Sequence, residues 1–108
     1  MRHRFGECEL DTVRHLLLRA GEPVHVEPQV FDLLRLLAES GADLVTYDPM
    51  VERVWRGRVV SDATLASRVA AARAAVGDDG RRQAVIRTVP RLGVQLVVPV
   101  RSEGVGAP

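Results

Sequence analysis

The stretch "VVSDATLASRVAAARAAVGDD", residues 59–79, predicts one amphipathic helix. Ser61 or Asp62 can accept a hydrogen bond from the first free backbone N–H groups, and Gly77 is a typical C-terminal stop. A helical wheel at about 100° per residue collects four apolar side chains on one inward stripe: Leu65, Val69, Ala72 and Val76. The opposite face carries almost only small side chains: Ala63, Ser67, Ala70, Ala71 and Ala74.

Two further helices are predicted upstream of this stretch. Pro28 at a first helical position, apolar residues at helical spacing and a stop near Gly41 indicate the first one. The second helix begins at Thr46 or Asp48 and has Pro49 in its first turn. Its predicted buried residues are Met50, Val51, Val54 and Trp55.

Strands are predicted on both sides of the helices. Between residues 3 and 26, short apolar runs alternate with turn residues, which is typical of small antiparallel strands. After the 59–79 helix, "AVIRTV" and "VQLVV" flank a turn kept by Gly93, which predicts a hairpin. The order of strands, two helices, basic loop, third helix and hairpin is that of a winged helix-turn-helix, an α+β fold.

Length and composition are those of one globular domain. The chain has 108 residues, 46% of them apolar and 27% charged, and its single cysteine, Cys8, excludes an internal disulfide. No apolar run is long enough to cross a bilayer, so we expect a cytoplasmic protein with no membrane segment. We expect residues 1–98 to form the domain and residues 99–108 to form a linker-like tail.

Charge is divided unequally along the chain, although its net value is only +1. Residues 1–52 hold five arginines against ten acidic residues, a net charge of −5. Residues 53–91 hold nine arginines against three acidic residues, a net charge of +6. A locally basic segment is typical of a surface that meets phosphate, because attraction depends on local rather than total charge.

Three segments carry a resemblance to a known family: "FGECELDTVRHLLLRAGEPVHVEPQVFDLLRLLAES", "VWRGRVVSDATLASRVAAARAAVGDDG" and "IRTVPRLG". They resemble the DNA-binding output domain of bacterial OmpR/PhoB-type response regulators, most of all the branch of CadC-like and effector-fused regulators. The resemblance runs from about Phe5 to Val98. It implies a four-stranded N-terminal antiparallel sheet, three helices, a C-terminal β-hairpin wing, and transcriptional control through double-stranded DNA.

The resemblance also implies which residues contact DNA. In the third helix the candidates are Thr64, Ser67, Arg68 and Arg73. In the wing the candidates for phosphate or minor-groove contact are Arg87, Thr88 and Arg91. Arg56 and Arg58, in the loop before the third helix, are candidates for contact with RNA polymerase or the DNA backbone. A homodimer or a head-to-tail pair on DNA is a further implication of the family.

The chain departs from the family pattern on these surfaces. Ala70 and Ala74 stand where the resembling branch commonly has asparagine and arginine. The wing lacks two basic residues and one aromatic ring, and has instead Leu92, Val94 and Gln95. Alanine can at most touch a thymine methyl group, so little direct base readout is expected. The alternative is a degenerate winged helix that uses its alanine face to bind a protein partner or a second copy.

No catalytic, metal or cofactor site is predicted. The histidines and the cysteine lie in the N-terminal strands without the close spacing of a zinc site: His3, His15, His25 and Cys8. The sequence contains no glycine-rich phosphate loop and no local nucleophile motif. We therefore expect a binding protein and not an enzyme.

Overall fold

The computed structural model describes residues 1–104, and its larger sheet has five antiparallel strands in the order β4-β3-β2-β1-β8. The strands are β1 Arg2–Phe5, β2 Cys8–Asp11, β3 Leu16–Arg19, β4 Glu22–Val24 and β8 Val100–Glu103. The inner face of the sheet buries Phe5, Leu10 and Leu17. The predicted N-terminal strands are confirmed, as is the fold class, but the sheet has one strand more than the resemblance implies.

Three helices supply most of the core, and the first of them packs against this sheet. They are α1 Pro28–Ser40, α2 Tyr47–Val54 and α3 Asp62–Ala75. Phe31 and Leu34 of α1 and Met50 of α2 are completely buried between the elements. The N-terminal cap of α3 is Ser61, whose Oγ accepts a hydrogen bond from the Thr64 N–H at 3.1 Å. Of the two predicted caps, Ser61 and Asp62, the first is therefore confirmed.

The wing is a small second sheet in the order β5-β7-β6. Its strands are β5 Val45–Thr46, β6 Ile86–Val89 and β7 Gly93–Leu96. The left-handed residue in the hairpin turn is Arg91, with φ 68°, so the prediction that Gly93 keeps the turn is wrong. Gly93 is instead a position where β7 lies too close to its paired strand β5 for a side chain, since a Cβ there would lie 2.0 Å from the Val45 carbonyl oxygen.

Strand β8 corrects the predicted end of the domain. It pairs antiparallel with β1 along its whole length, from Arg2↔Glu103 to Phe5↔Val100. An open edge on β1 would leave backbone groups unpaired, and β8 satisfies them. The linker-like tail is therefore wrong for residues 100–103, while residues 105–108 lie outside the described part of the chain.

A buried histidine fastens β8 to β1. His3 is 3% exposed, and its Nδ1 lies 2.7 Å from the Ser102 hydroxyl. Burial lowers the pKa of His3 because an imidazolium ion would lose its water; Glu39 opposes this effect, and the N-terminal amine and Arg35 add to it. The neutral imidazole is therefore the form that fits between these strands.

Candidate nucleic-acid interface

The outer face of α3 is exposed and consists of small side chains. Its inward stripe is confirmed, since Val69, Ala72 and Val76 are buried and Leu65 is half-buried. The exposed positions are Ala63, Ala66, Ser67, Ala70, Ala71 and Ala74. Hydrogen bonding from this face is thus limited to Ser67. The helix therefore presents a smooth surface with little capacity for direct base readout.

Thr64 and Arg68 lie at the margins of this face. Thr64 is half-buried, and its hydroxyl is hydrogen-bonded to the Ser61 hydroxyl at 2.9 Å in the cap of the helix. Arg68 is also half-buried and donates from Nε to the Gln29 side chain of α1 at 3.0 Å. Both side chains are therefore held by neighbours, and Arg68 is directed toward α1.

Arg73 is not an exposed residue of α3, so the predicted placement at a DNA-facing surface is wrong. It is 7% exposed, its Nε donates to the carbonyl oxygen of Ile86 at 3.0 Å, and its Nη2 donates to the Thr88 hydroxyl. The helical wheel gives the direction of this side chain correctly as a shoulder of the inward stripe. The wing packs over that shoulder, and local periodicity contains no information about this contact.

The wing separates its three candidate residues. Thr88 is half-buried and faces α3, where its hydroxyl accepts from Arg73. Arg87, the preceding residue of β6, is exposed and points to the opposite face, because side chains alternate along a strand. Arg91 is exposed at the turn. The two arginines therefore remain available to a partner, whereas Thr88 is part of the support.

A cleft of about 420 Å³ lies between α3 and the wing. Leu65, Ala66 and Val69 line it from α3, and Thr88 and Arg91 line it from the wing. Tyr47, the first residue of α2, and Asp62 and Arg73 of α3 also line it. One side of α3, from its inward stripe to the exposed Ala66, and the turn of the wing thus border one concave surface, with the exposed Arg91 beside it.

The loop between α2 and α3 carries the remaining candidates, Arg56 and Arg58, and both are exposed. Arg56 and Gly57 have positive φ values of 55° and 77°, and the Gly57 N–H donates to the Val51 carbonyl oxygen at 3.1 Å. Trp55, next to them, is 7% exposed and belongs to the core, as predicted. The loop is tightly turned and presents its two guanidinium groups away from the core.

Sequence reasoning missed two polar residues that support the wing, Asp78 and Gln83. The Asp78 carboxylate accepts hydrogen bonds from the N–H groups of Ala84, Val85 and Ile86, each at 2.9 to 3.0 Å. The Gln83 side chain accepts from the Thr88 N–H at 2.8 Å. The available signal was the polar run "GDDGRRQ" directly before a strand, where an aspartate can hold backbone N–H groups of the following chain.

The pKa of Asp78 reflects these contacts. Burial has the largest single effect and raises it, but the hydrogen bonds from Ile86, Val85, Ala84 and Asp79 together lower it to about 2. The carboxylate is therefore charged throughout the physiological range although its residue is only 6% exposed.

Neither a metal-binding cluster nor a membrane-spanning helix is present among residues 1–104. This part of the chain contains no group of three or more histidine, cysteine, aspartate or glutamate residues that could hold a metal ion. Of its helices, none has the length and apolar content needed to cross a bilayer.

Comparison with known proteins places the chain in a family. The family described as "Transcriptional regulatory protein, C terminal" matches residues 21–96. The response regulator MtrA of Mycolicibacterium smegmatis is 34% identical over 95 residues, which cover 87% of this chain and 42% of MtrA. The transcriptional activator CadC of Escherichia coli is 28% identical over 98 residues, which cover 90% of this chain and 19% of CadC. The chain thus spans less than half the length of these relatives.

Solved structures show the same fold. The DNA-binding domain of Escherichia coli CadC has a TM-score of 0.78 at 27% identity, over 93% of this chain and 94% of that domain. The DNA-binding domain of Klebsiella pneumoniae RstA, solved in complex with the RstA box, has a TM-score of 0.79 at 23% identity, over 88% of this chain and 95% of that domain. The chain therefore belongs to the transcriptional regulatory protein C-terminal family of OmpR/PhoB type, as its sequence motifs indicate.

Proposed function

We propose that this chain binds double-stranded DNA to regulate transcription, with α3 in the major groove and the wing beside it on the backbone or minor groove. The observation that carries the proposal is the cleft that Ala66 of α3 and Arg91 of the wing border together. A helix and a cationic hairpin turn on one concave surface can follow a groove and its phosphate edge. The net charge of +6 over residues 53–91 supports a polyanionic partner.

Binding of this kind depends on phosphates more than on bases. Ser67 is the hydrogen-bonding residue on the exposed face of α3, and Arg68 at its margin is engaged by Gln29. Each absent bidentate contact removes about 1–3 kcal/mol of base discrimination. The protein therefore binds duplexes with modest sequence preference, and its affinity falls steeply as salt concentration rises.

The wider assembly follows from the same proposal. A chromosomal partner implies a cytoplasmic location, and binding as a head-to-tail pair would double the contact surface on DNA. Arg56 and Arg58 lie in a tight exposed loop at the end of α2, a position from which they could meet RNA polymerase or a neighbouring phosphate. The transcriptional activator CadC and the DNA-binding response regulator MtrA are both more than twice as long as the segment that this chain matches.

Removing both wing arginines tests the proposal directly. In the double variant Arg87→Ala, Arg91→Ala we expect binding to all duplexes to weaken, and the slope of log K against log salt to flatten by about 2, because two phosphate contacts are lost. Fluorescence anisotropy with random and defined duplexes at several salt concentrations measures both quantities.

A charge-matched control is the double variant Arg14→Ala, Arg101→Ala. Both arginines are exposed and lie in the larger sheet or its turns, away from the wing. This variant has the same net charge as the wing variant, so we expect it to bind nearly as the parent does. Equal losses of DNA affinity in the two double variants would show that binding depends only on net charge, and would contradict docking through the wing.

One observation favours the second candidate, a protein-interaction module. The alanine face continues into a groove of about 400 Å³ that Ala71 and Ala74 of α3 share with Val26 and Val30, and that His25, Glu27 and Arg68 also line. Small side chains beside apolar residues allow another helix to approach closely. Association through such a surface would depend little on salt concentration.

The double variant Ala70→Asn, Ala74→Arg separates the two candidates. Both sites are exposed, so the free energy of unfolding should fall by no more than about 1 kcal/mol, mainly because asparagine has a lower helix propensity than alanine. If α3 lies in the major groove, the asparagine and arginine side chains can hydrogen-bond to base edges. We then expect tighter DNA binding and greater sequence specificity.

Val13→Arg provides the control, because it adds one positive charge at a residue that is 68% exposed in the turn after β2. A lower mass in solution for the Ala70→Asn, Ala74→Arg variant, with DNA affinity equal to that of the parent, would support the interaction module instead. Light scattering and anisotropy on the same samples decide between these outcomes.

A further inference from the structure

We propose that Arg73, Asp78 and Gln83 form a clasp that fixes the wing at one orientation to α3, and that this orientation determines how the wing arginines reach DNA. The inference rests on the proposed function for its role in binding. It reassigns Arg73 from a contact residue to a positioning residue, and it adds two residues outside the surface that meets DNA.

The clasp acts on the free edge of β6. In the order β5-β7-β6 this strand has β7 on one side and no strand on the other within residues 1–104. On that open side, the Ile86 carbonyl accepts from Arg73 at 3.0 Å and the Ile86 N–H donates to Asp78 at 3.0 Å. The Thr88 N–H donates to Gln83 at 2.8 Å. Side chains therefore satisfy edge groups that a further strand would normally pair.

All three members of the clasp belong to α3 or to the loop that leaves it. Arg73 is in the last turn of the helix, and its carbonyl accepts from the Asp78 N–H at 2.8 Å. The Gln83 N–H donates to the Asp79 carbonyl at 2.9 Å, which folds the loop back toward the helix. The groups that hold β6 are thus tied to the end of α3 and move with it.

The two charged residues of the clasp, Arg73 and Asp78, orient the wing through hydrogen bonds. Arg73 and Asp78 are 7% and 6% exposed, yet they are not joined as an ion pair within the described residues. Each is satisfied mainly by groups of the wing and its approach, namely the carbonyl of Ile86 for one and three successive N–H groups for the other. Hydrogen bonds depend on angle whereas apolar packing does not, so these contacts can set an orientation.

The clasp also determines where the wing arginines point. Ile86 and Thr88 are held toward α3, so Arg87 between them is held on the opposite face by the alternation of the strand. Arg91, four residues after Arg87, lies in the turn and lines the same cleft as Ala66. A wing released from α3 would keep both arginines but lose their fixed distance from the helix.

A double-mutant cycle on DNA affinity tests this role. We combine Arg73→Met, which keeps the aliphatic stem and removes the hydrogen bonds, with Arg91→Ala on the wing or Arg68→Ala on the helix. If the clasp positions the wing, Arg91→Ala weakens binding at least about threefold less in the Arg73→Met background than in the parent. The loss caused by Arg68→Ala is the same in both backgrounds, because Arg68 is held by α1.

Gln83→Leu gives the same cycle at a half-buried residue, where it removes two hydrogen bonds, one accepted from the Thr88 N–H and one donated to the Gly80 carbonyl. It protects the test against unfolding by Arg73→Met. A second readout needs no DNA: residual dipolar couplings of backbone N–H groups report the orientation of β6 and β7 relative to α3. We expect that orientation to change in both variants while α1 and α3 keep theirs.

The outcomes separate the clasp from the proposed function. If the unsubstituted protein binds no duplex at low salt, the proposed function is contradicted. The residual dipolar couplings then still test whether the clasp fixes the orientation of the wing. A parent that binds DNA, with additive losses for Arg73→Met and Arg91→Ala, overturns the positioning role. Unchanged dipolar couplings in folded Gln83→Leu and Arg73→Met overturn the clasp whether or not DNA binds.

Discussion

Replacing Gly93 by alanine is expected to destabilise the folded domain severely. The added Cβ would lie 2.0 Å from the carbonyl oxygen of Val45, 2.8 Å from its carbonyl carbon and 2.9 Å from the Thr46 Cα. All three atoms are backbone, so no side-chain rotation can relieve the overlap. Strand β5 would have to leave β7, with loss of the pairs Val45↔Val94 and Thr46↔Gly93.

The loss extends beyond two strand residues because α2 begins directly after β5. Moving Thr46 displaces the first turn of α2 and the buried Met50 behind it. We expect the free energy of unfolding to fall by at least about 3 kcal/mol, out of a total of about 5–15 kcal/mol for a domain of this size. Chemical denaturation followed by circular dichroism gives the value.

Gly80→Ala is the matched control for this substitution. Its Cβ would meet only the Arg73 Nη1 at 3.8 Å, an ordinary contact, and Gly80 does not have a positive φ. The change in unfolding free energy should remain below about 1 kcal/mol. If the Gly93→Ala protein were as stable as the Gly80→Ala protein, the backbone of β5 would not lie as close to Gly93 as described.

The second large effect is expected for Asp78→Asn. An amide has one acceptor oxygen in place of two, whereas Ala84 bonds to Oδ1 of Asp78 and Val85 and Ile86 bond to Oδ2. The substitution therefore leaves at least one N–H group without a partner beside a buried strand, and brings an NH₂ group against it. We expect a loss of about 2–4 kcal/mol, since unsatisfied buried donors each cost about 1–3 kcal/mol.

This loss depends on pH in a defined direction. The pKa of Asp78 is lowered to about 2 from 3.8, so the folded state favours the carboxylate, and its contribution of about 2 kcal/mol is complete above pH 3.8. It disappears as pH falls from 3.8 through about 2, because both states are then protonated. The difference in stability between parent and Asp78→Asn should therefore shrink over that interval, which urea denaturation at several pH values measures.

Asp79→Asn is the control in the same loop. Asp79 accepts hydrogen bonds from the N–H groups of Arg81 and Arg82, but its side chain is 53% exposed, so water can replace those contacts. We expect a much smaller loss than for Asp78→Asn. Equal losses in the two variants would mean that the wing does not depend on the buried carboxylate.

The features that sequence predicted correctly are those encoded locally. The order of elements follows from periodicity and from turn residues, and the exposed small face of α3 follows from the wheel alone. Ser61 at the start of α3 was one of two adjacent candidates because the cap is a contact over three residues. The order of elements already indicates a winged helix-turn-helix, and the family resemblance adds which residues are expected to contact DNA.

The features that sequence missed depend on distant contacts. Arg73 lies on the predicted shoulder of α3, but its burial is caused by Ile86 and Thr88, which reach it only after the hairpin folds. The residues next to Gly93 in sequence indicate a turn. Its role depends instead on Val45, which is distant in sequence and whose carbonyl group leaves no room for a Cβ at residue 93. The roles of Arg73 and Gly93 therefore depend on partners that are distant in sequence, which a local pattern does not reveal.

Strand β8 was missed for the same reason. Its residues are one half-buried valine followed by three exposed polar residues, so no alternation of apolar side chains indicates a strand. Its pairing partner, β1, begins at the second residue of the chain. A short polar strand is recognisable only from the edge that it completes.

The pairing of β8 with β1 also has a kinetic consequence. His3 and Ser102 are separated by 99 positions in sequence, and closing a loop of that length from an open chain costs about 4 kcal/mol of entropy. That cost falls once α1, α2 and α3 have folded between the two strands and brought them near, so β8 joins the sheet after the helices have formed. The order reverses on opening, and the amide protons of residues 100–103 would exchange with deuterium before those of α1.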